Sequence, residues 1–263
     1  MTDPDDDPVI ELSTTWTDAF DLGPSEHIAL VGGGGKTTTL WSLARELSSA
    51  GPTIVTTTTK AGAPPADVPL VDWEAPLPDR SLHELVAAAF ARSALIAVGA
   101  GVREGRLRAV SPEIADELFF RCGARHVVNE ADGARMKPFK APAEHEPVLA
   151  STTTLLVVVI GLDALGAPIE DKHLHRPERI AALSGAPMGA ALRPEHVAAI
   201  VREYETRCAD VDEEARFAVL INKVDSGPED PRVTALAAAL ADVELSALVA
   251  ASQTAQTKRW RLR

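Results

Sequence analysis

Four consecutive glycines, a lysine and three threonines follow the apolar run Ile28-Ala29-Leu30-Val31, reading Gly32-Gly33-Gly34-Gly35-Lys36-Thr37-Thr38-Thr39. Glycine has no Cβ, so such a run lets the backbone curl tightly and aim its N–H groups at one anion. A helix opening on the threonines adds the partial positive charge of its N-terminus. In this pattern Lys36 bridges β- and γ-phosphate oxygens and the Thr37 hydroxyl ligates Mg²⁺, while Gly33, Gly34, Gly35 and Thr38 line the phosphates. A plain glycine turn has no need of Lys-Thr-Thr ahead of an amphipathic helix. One position departs from the usual motif: Leu30 stands where the longer phosphate loop has its first glycine.

A second apolar run ends in two carboxylates, Val127-Val128-Asn129-Glu130-Ala131-Asp132-Gly133. An acid at a strand end beside a phosphate loop holds Mg²⁺, directly or through water, and orients the attacking water. Lys36, Glu130 and Asp132 are therefore the catalytic candidates, and Thr37, Glu130 and Asp132 the expected metal-binding set. A third run closes on Thr56-Thr57-Thr58-Thr59-Lys60. Parallel sheets bind ligands beyond the carboxyl ends of their strands, which would let Thr58 reach Mg²⁺ and Lys60 reach phosphate. Threonine is also a good strand former, so this stretch reads equally as plain strand.

Phe217-Ala218-Val219-Leu220-Ile221 runs into Asn222-Lys223-Val224-Asp225. In the N-K-x-D element of GTPases the asparagine stabilises the base pocket, the lysine packs along the base and the aspartate accepts from guanine N–H groups. The order of phosphate loop, acidic strand end, strand, N-K-x-D and final strand is that of Ras-like GTPases, and Ala251-Ser252 would be a poor version of their last motif. Two more polar clusters remain: Lys140, Glu144, His145 and Glu146, and then His173, His175 and Arg176. Lys140 or Arg176 would neutralise γ-phosphate charge or bind an anionic substrate. The histidines and carboxylates match no standard zinc spacing. The bland alternative for both clusters is solvated loop charge.

Seven short β-rich runs carry these residues, at 27–31, 53–58, 95–98, 125–129, 155–160, 217–221 and 245–250. Most are apolar without alternation, as strands buried on both faces are. Helical patterns at 37–49, 81–92, 112–121, 193–207 and 231–241 separate several of them, with Pro112, Pro194 and Pro231 at first-turn positions. The fold class expected is α/β, a P-loop NTPase-like, mostly parallel sheet flanked by helices. Residues 1–24 read as an acidic N-terminal tail and lead-in, and 25–263 as one nucleotide-binding domain in which 161–189 is an irregular small lobe or site loop. Hydrophobic residues are 46% and aromatics only 4%, which suits a Val/Leu/Ile/Ala core. A net charge of −12 and a pI of about 5.0 argue against nucleic acid as a partner. Cys122 and Cys208 form no framework or CxxC motif and fit a reducing cytosol. No apolar run approaches the ~20 residues that span a bilayer, and no signal pattern opens the chain.

In order, Gly32–Thr38, the Thr56–Lys60 run, Glu130-Ala131-Asp132-Gly133-Ala134, Lys140-Ala141-Pro142-Ala143-Glu144-His145-Glu146-Pro147, Asp163-Ala164-Leu165-Gly166, His175-Arg176-Pro177-Glu178 and Asn222–Asp225 together resemble the YqeC family. The K-A-P-A-E-H-E-P segment is the most specific part. The resemblance implies a P-loop NTPase that uses Mg²⁺ and GTP or ATP and assists maturation of a selenium-dependent molybdenum hydroxylase, with that hydroxylase or a selenium or molybdenum cofactor intermediate as its partner. Nothing in the residues themselves encodes selenium. The short G-x-x-G-K-T-T loop is also similar to that of the Mur ligases, which keeps open an ATP-dependent ligase or kinase acting on a small acid. A nucleotide-gated binding module with little turnover is the third reading.

Overall fold

The computed structural model describes residues 11–74, 81–211, 213–253 and 257–263. Its strands are β1 (Glu11–Ser13), β2 (Glu26–Gly32), β3 (Thr53–Thr57), β4 (Ala61–Gly62), β5 (Leu70–Asp72), β6 (Leu95–Gly99), β7 (Val102–Arg103), β8 (Arg106–Leu107), β9 (His126–Glu130), β10 (Leu155–Gly161), β11 (Arg216–Asn222), β12 (Ala247–Ser252) and β13 (Lys258–Arg261). Its α-helices are α1 (Trp16–Phe20), α2 (Lys36–Leu47), α3 (Leu82–Phe90), α4 (Pro112–Phe120), α5 (Pro177–Ser184), α6 (Pro194–Ala209) and α7 (Pro231–Ala239). All seven strands expected from the apolar runs are present, within a few residues of the expected ends.

Ten strands form one sheet in the order β1-β13-β12-β11-β10-β2-β9-β3-β6-β5. The strands from β12 to β5 pair in parallel, and β13 and β1 add an antiparallel edge. Strand β2 lies between β9 and β10, so the loop after it opens beside the acidic end of β9. Both faces are covered, which is why the strands are apolar throughout. Along β2 the faces alternate: Ile28 and Leu30 join Leu40, Leu43 and Leu47 of α2, while Ala29 and Val31 join Val197 and Val201 of α6. A separate antiparallel sheet, β4-β8-β7, stands off the main one.

Several short elements, among them β1, α1, α5 and β13, lie where no regular element was expected. Residues 11–24 are built into the fold rather than forming a lead-in: β1 pairs with β13, and Trp16 is fully buried beneath the Arg259 guanidinium, 4.4 Å from its ring centroid. Glu46 accepts the first amides of α1 from Trp16 and Thr17, at 2.9 and 2.8 Å. A three-residue strand and a five-residue helix are too short to carry a period. The expected tail before residue 11 lies outside the described residues. Within 161–189, Leu162, Ile169, Leu174 and Ile180 are buried in the same core as β10 and α6, so this stretch is no separate lobe. Cys122 and Cys208 are buried, with no disulfide between them, and burial pushes Cys122 up to about 11.

Of the three buried histidines among the described residues, His27, His126 and His175, His27 has its Nδ1 2.5 Å from the Thr152 hydroxyl and no hydrogen-bond partner there at Nε2. Burial lowers its pKa from 6.5 to about 4, against a smaller upward pull from Asp116. The folded value is depressed, so the neutral ring contributes stability above about pH 6.5 that is lost as pH falls toward 4. Urea unfolding should show stability falling by roughly 2 kcal/mol between pH 6.5 and 5, at ~1.4 kcal/mol per unit, with a shallower slope in His27→Asn. Equal stability at pH 7.5 and 5 would contradict this.

Candidate functional site

The chain leaves β2 in a turn that only glycine fills. Gly34 has φ +80°, and a Cβ there would sit 2.2 Å from the Gly161 nitrogen; Gly35 has φ +122°, and a Cβ would sit 2.2 Å from Asn222 Nδ2. The turn is pinned from two sides. Gly33 N–H donates to Val159 O at 2.8 Å, and Gly34 N–H donates to Lys137 O at 3.0 Å. Helix α2 starts at Lys36, and its first-turn amides have no intrahelical acceptors. Gly33 through Thr38 all face one cleft of about 1010 Å³ at the carboxyl ends of β2, β3 and β9.

Lys36 is buried, and its Nζ donates to Gly32 O at 2.6 Å. The same ammonium lies 3.1 Å from Asp132 Oδ1 and 3.9 Å from Glu130 Oε1. Thr37 donates its hydroxyl to Glu130 Oε2 at 3.2 Å. Burial raises the Glu130 pKa, with Lys36 pulling it back only in part. A desolvated carboxylate beside a hydroxyl, with its nearest ammonium nearly 4 Å away, fits a divalent cation. Thr37 and Glu130 would supply two oxygens to Mg²⁺, leaving the other positions to phosphate and water.

Asp132 has a different place from the one its spacing suggested. It is fully buried, and its Oδ2 accepts from Gly32 N–H at 2.9 Å and from the Tyr204 hydroxyl at 2.8 Å, with Lys140 Nζ 3.0 Å away. Oδ1 faces Lys36 at an angle outside hydrogen bonding, so that contact is purely electrostatic. Burial raises the Asp132 carboxyl, and Lys36, Lys140, Gly32 N–H and Tyr204 together outweigh it and hold it below the usual range. Two ammoniums already occupy its surroundings, which leaves no room for Mg²⁺ as a direct ligand. Asp132 anchors the glycine turn after β2.

The charge chain continues outward. Lys140 is fully buried and donates to Glu146 at 2.5 Å and to Gly133 O at 3.0 Å. Glu146 takes both guanidinium nitrogens of Arg176, at 2.5 and 2.9 Å. Burial opposes ionisation of Glu146, but Arg176 and Lys140 win and bring it down to about 2. Lys140, Glu146 and Arg176 are thus spent on one another, where loose phosphate or substrate contacts were expected. Arg207 of α6 fixes the same loop by donating to the carbonyls of Ala143 and Glu146. His175 is buried, and desolvation and then Arg176 and Lys140 lower it to about 4. Glu144 and His145 are exposed, and His145 borders the cleft. Among the described residues no group of three or more His, Cys, Asp or Glu is placed to hold a metal.

Thr58 is turned inward: its hydroxyl donates to Val148 O at 2.6 Å and its N–H to Asn129 Oδ1 at 3.0 Å. Thr59 and Lys60 line the cleft instead. Asn222 reaches the glycine turn after β2, donating to Gly34 O at 2.8 Å. Lys223 lines the cleft and pairs with Asp163 at 2.7 Å, and Asp225 accepts from Ser252 at 2.6 Å. Sequence reasoning missed Tyr204 and Arg207, whose helix reads as ordinary amphipathic pattern, and Arg106, Arg135 and Lys137, which line the cleft from loops and a two-residue strand.

Residues 28–178 match the family model described as YqeC protein. The chain is 31% identical over 210 residues to the Escherichia coli (strain K12) protein described as "Uncharacterized protein YqeC", covering 78% of this chain and 79% of that one. No solved structure matches. The family match spans Lys36, Glu130, Asp132, Lys140, Glu146 and Arg176 and ends before Asn222. Among the described residues no helix is long and apolar enough to cross a membrane.

The two acids should respond oppositely to neutralisation. Asp132→Asn leaves two buried ammoniums short of a counter-charge and should cost about 3–5 kcal/mol of stability. Glu130→Gln removes a carboxylate that burial already disfavours and should cost under about 1 kcal/mol. Urea unfolding of both variants measures the contrast, and equal costs would refute the anchoring role.

Proposed function

The chain belongs to the YqeC family, and from that premise we propose that it binds and hydrolyses Mg²⁺-bound nucleoside triphosphate, GTP before ATP, in support of the maturation of a selenium-dependent molybdenum hydroxylase. One observation carries the nucleotide reading. A glycine loop, a buried lysine and a threonine–carboxylate pair 3.2 Å apart meet at the carboxyl end of a parallel sheet, in a single cleft. Each part has a separate task in phosphoryl transfer, and together they match the needs of the transition state.

The α2 amides and Lys36 would hold the β- and γ-phosphates. Thr37 and Glu130 would hold Mg²⁺, which supplies charge neutralisation as the γ-phosphate leaves. Asn222 donates to Gly34 O, which would tie a base-side element to the phosphate loop, and Ser252 donates to the Asp225 carboxylate, which would be the group that reads a guanine edge. The maturation role is supported by the family resemblance; it is tested by hydroxylase activity in cells lacking this protein, where full activity would end it.

Lys36→Ala should lose nucleotide binding about a hundredfold or more, because its charge-assisted bonds would go to the ligand, and should also lose stability, since Asp132 then keeps Lys140 as its one ammonium; the binding loss is measured on the folded variant. Glu130→Gln should keep binding and lose turnover by roughly 10²–10³-fold, since metal charge matters most at the transition state. Calorimetric titration and phosphate release measure both, and wild-type turnover in either variant would remove that residue from the mechanism.

Guanine choice is checked by competition between GTP, ATP and CTP. One carboxylate bond from Asp225 favours guanine by about ten- to a hundredfold. Asp225→Asn should shift preference toward xanthosine triphosphate. Equal binding of ATP or CTP would reduce Asn222–Asp225 to a strand-to-loop turn.

A further inference from the structure

We propose that the outer part of this cleft is a second anion subsite, formed by Lys60, Arg106 and Arg135, that takes a small molecule bearing phosphoryl or carboxylate groups beside the nucleotide. The proposal rests on the nucleotide reading of the inner cleft.

The first ground is the distribution of partners. Among the cations lining the cleft, Lys36, Arg108 and Lys223 face carboxylates, at 3.1 Å from Asp132, 2.9 Å from Glu74 and 2.7 Å from Asp163. The Lys137 ammonium donates to Lys172 O at 2.6 Å. Lys60, Arg106 and Arg135 are exposed and, among the described residues, their side chains have no hydrogen bond or ion pair. Three unneutralised cations in one concavity are costly to keep together, and they sit in a protein whose net charge is −12. A Mg²⁺-bound triphosphate is served by Lys36, the α2 amides and the metal, so these three are left over.

The second ground is that each is held in place by its backbone. Arg106 follows a two-residue turn, Glu104-Gly105, whose φ values of +53° and +70° are those of a tight hairpin. Its strand pairs with β4, Gly62 opposite Arg106, directly after Lys60. Arg135 and Met136 form a lip with φ values of +48° and +61°, a left-handed pair that non-glycine residues rarely adopt. The lip is tied to the phosphate loop, since Lys137 O accepts the Gly34 N–H at 3.0 Å. Arg106 lines the same cleft as Thr37 and Glu130. At about 1010 Å³ the cleft is at the upper end of small-molecule pockets, roughly 300–1,000 Å³. Met136, 97% exposed on the lip, offers an apolar contact for the body of such a ligand. Two guanidinium forks favour planar or tetrahedral oxyanions, which phosphoryl and carboxylate groups share.

The test uses the full-length chain saturated with Mg²⁺ and the β,γ-methylene triphosphate of whichever purine binds. Pyrophosphate and citrate are then titrated calorimetrically, as the phosphoryl and carboxylate probes. The wild type should bind at least one probe while loaded. Arg106→Ala with Arg135→Ala should weaken that probe roughly tenfold or more and leave the nucleotide analogue within about threefold. No binding of either probe to the loaded wild type overturns the subsite. So does an equal loss of nucleotide analogue and probe, which would assign these cations to the nucleotide itself. If no nucleotide binds, the nucleotide reading fails separately. Probe binding to the empty protein that depends on Arg106 and Arg135 but not Lys36 then upholds the subsite, and dependence on Lys36 alone overturns it.

Discussion

The Asp132 carboxylate, shut away between the ammoniums of Lys36 and Lys140, is the contact on which the rest of the site depends. It also receives the Gly32 N–H that opens the glycine turn and the Tyr204 hydroxyl from α6. One side chain thus joins β2, the loop after β9 and the helix covering one face of the sheet. Such a group is tolerated without water only because every neighbour supplies charge or a proton. The alternation runs on through Glu146 to Arg176, so the K-A-P-A-E-H-E-P loop and the glycine turn share one buried set of charges. Loss of any inner member exposes its neighbours to the full desolvation cost.

This arrangement separates two acids that look alike in the sequence. Glu130 and Asp132 are two residues apart at the end of β9 and point to different sides. Asp132 turns into protein and is held ionised by its neighbours; Glu130 turns to the cleft, is raised by burial and has a hydroxyl beside it. One therefore has its needs met within the fold, and the other keeps capacity for a cation. Net charge hides a similar division. The chain is strongly acidic, yet the charged residues lining this cleft are seven lysines and arginines against two glutamates. Concave walls focus that local field, and the surface excess of acid serves solubility.

Much of the architecture was legible because its determinants are local. Uniform apolar runs mark strands buried on two faces, and β2, β3, β9, β10 and β11 lie where those runs are. First-turn prolines mark α4, α6 and α7. Helix α1 and the strands at the hairpin were not legible, because elements of two to five residues carry no period. Strand β13 owes its existence to the free edge of β12, which is set by the sheet and not by its own residues.

For the site itself, the sequence alone determined that Gly32–Gly35 forms a tight turn running into a helix that starts at Lys36, since four glycines before a helix give backbone freedom within a few residues. It likewise placed carboxylates at the end of the neighbouring strand. Only the tertiary structure decided which carboxylate faces the cleft, that Thr58 turns away from it, and that Lys140, Glu146 and Arg176 are consumed in one another's company. The reason is separation: Asp132 meets Gly32 across 100 residues and Tyr204 across 72, and Arg176 meets Glu146 across 30. A side chain's charge state and its availability to a ligand are set by such partners, and no local pattern encodes them.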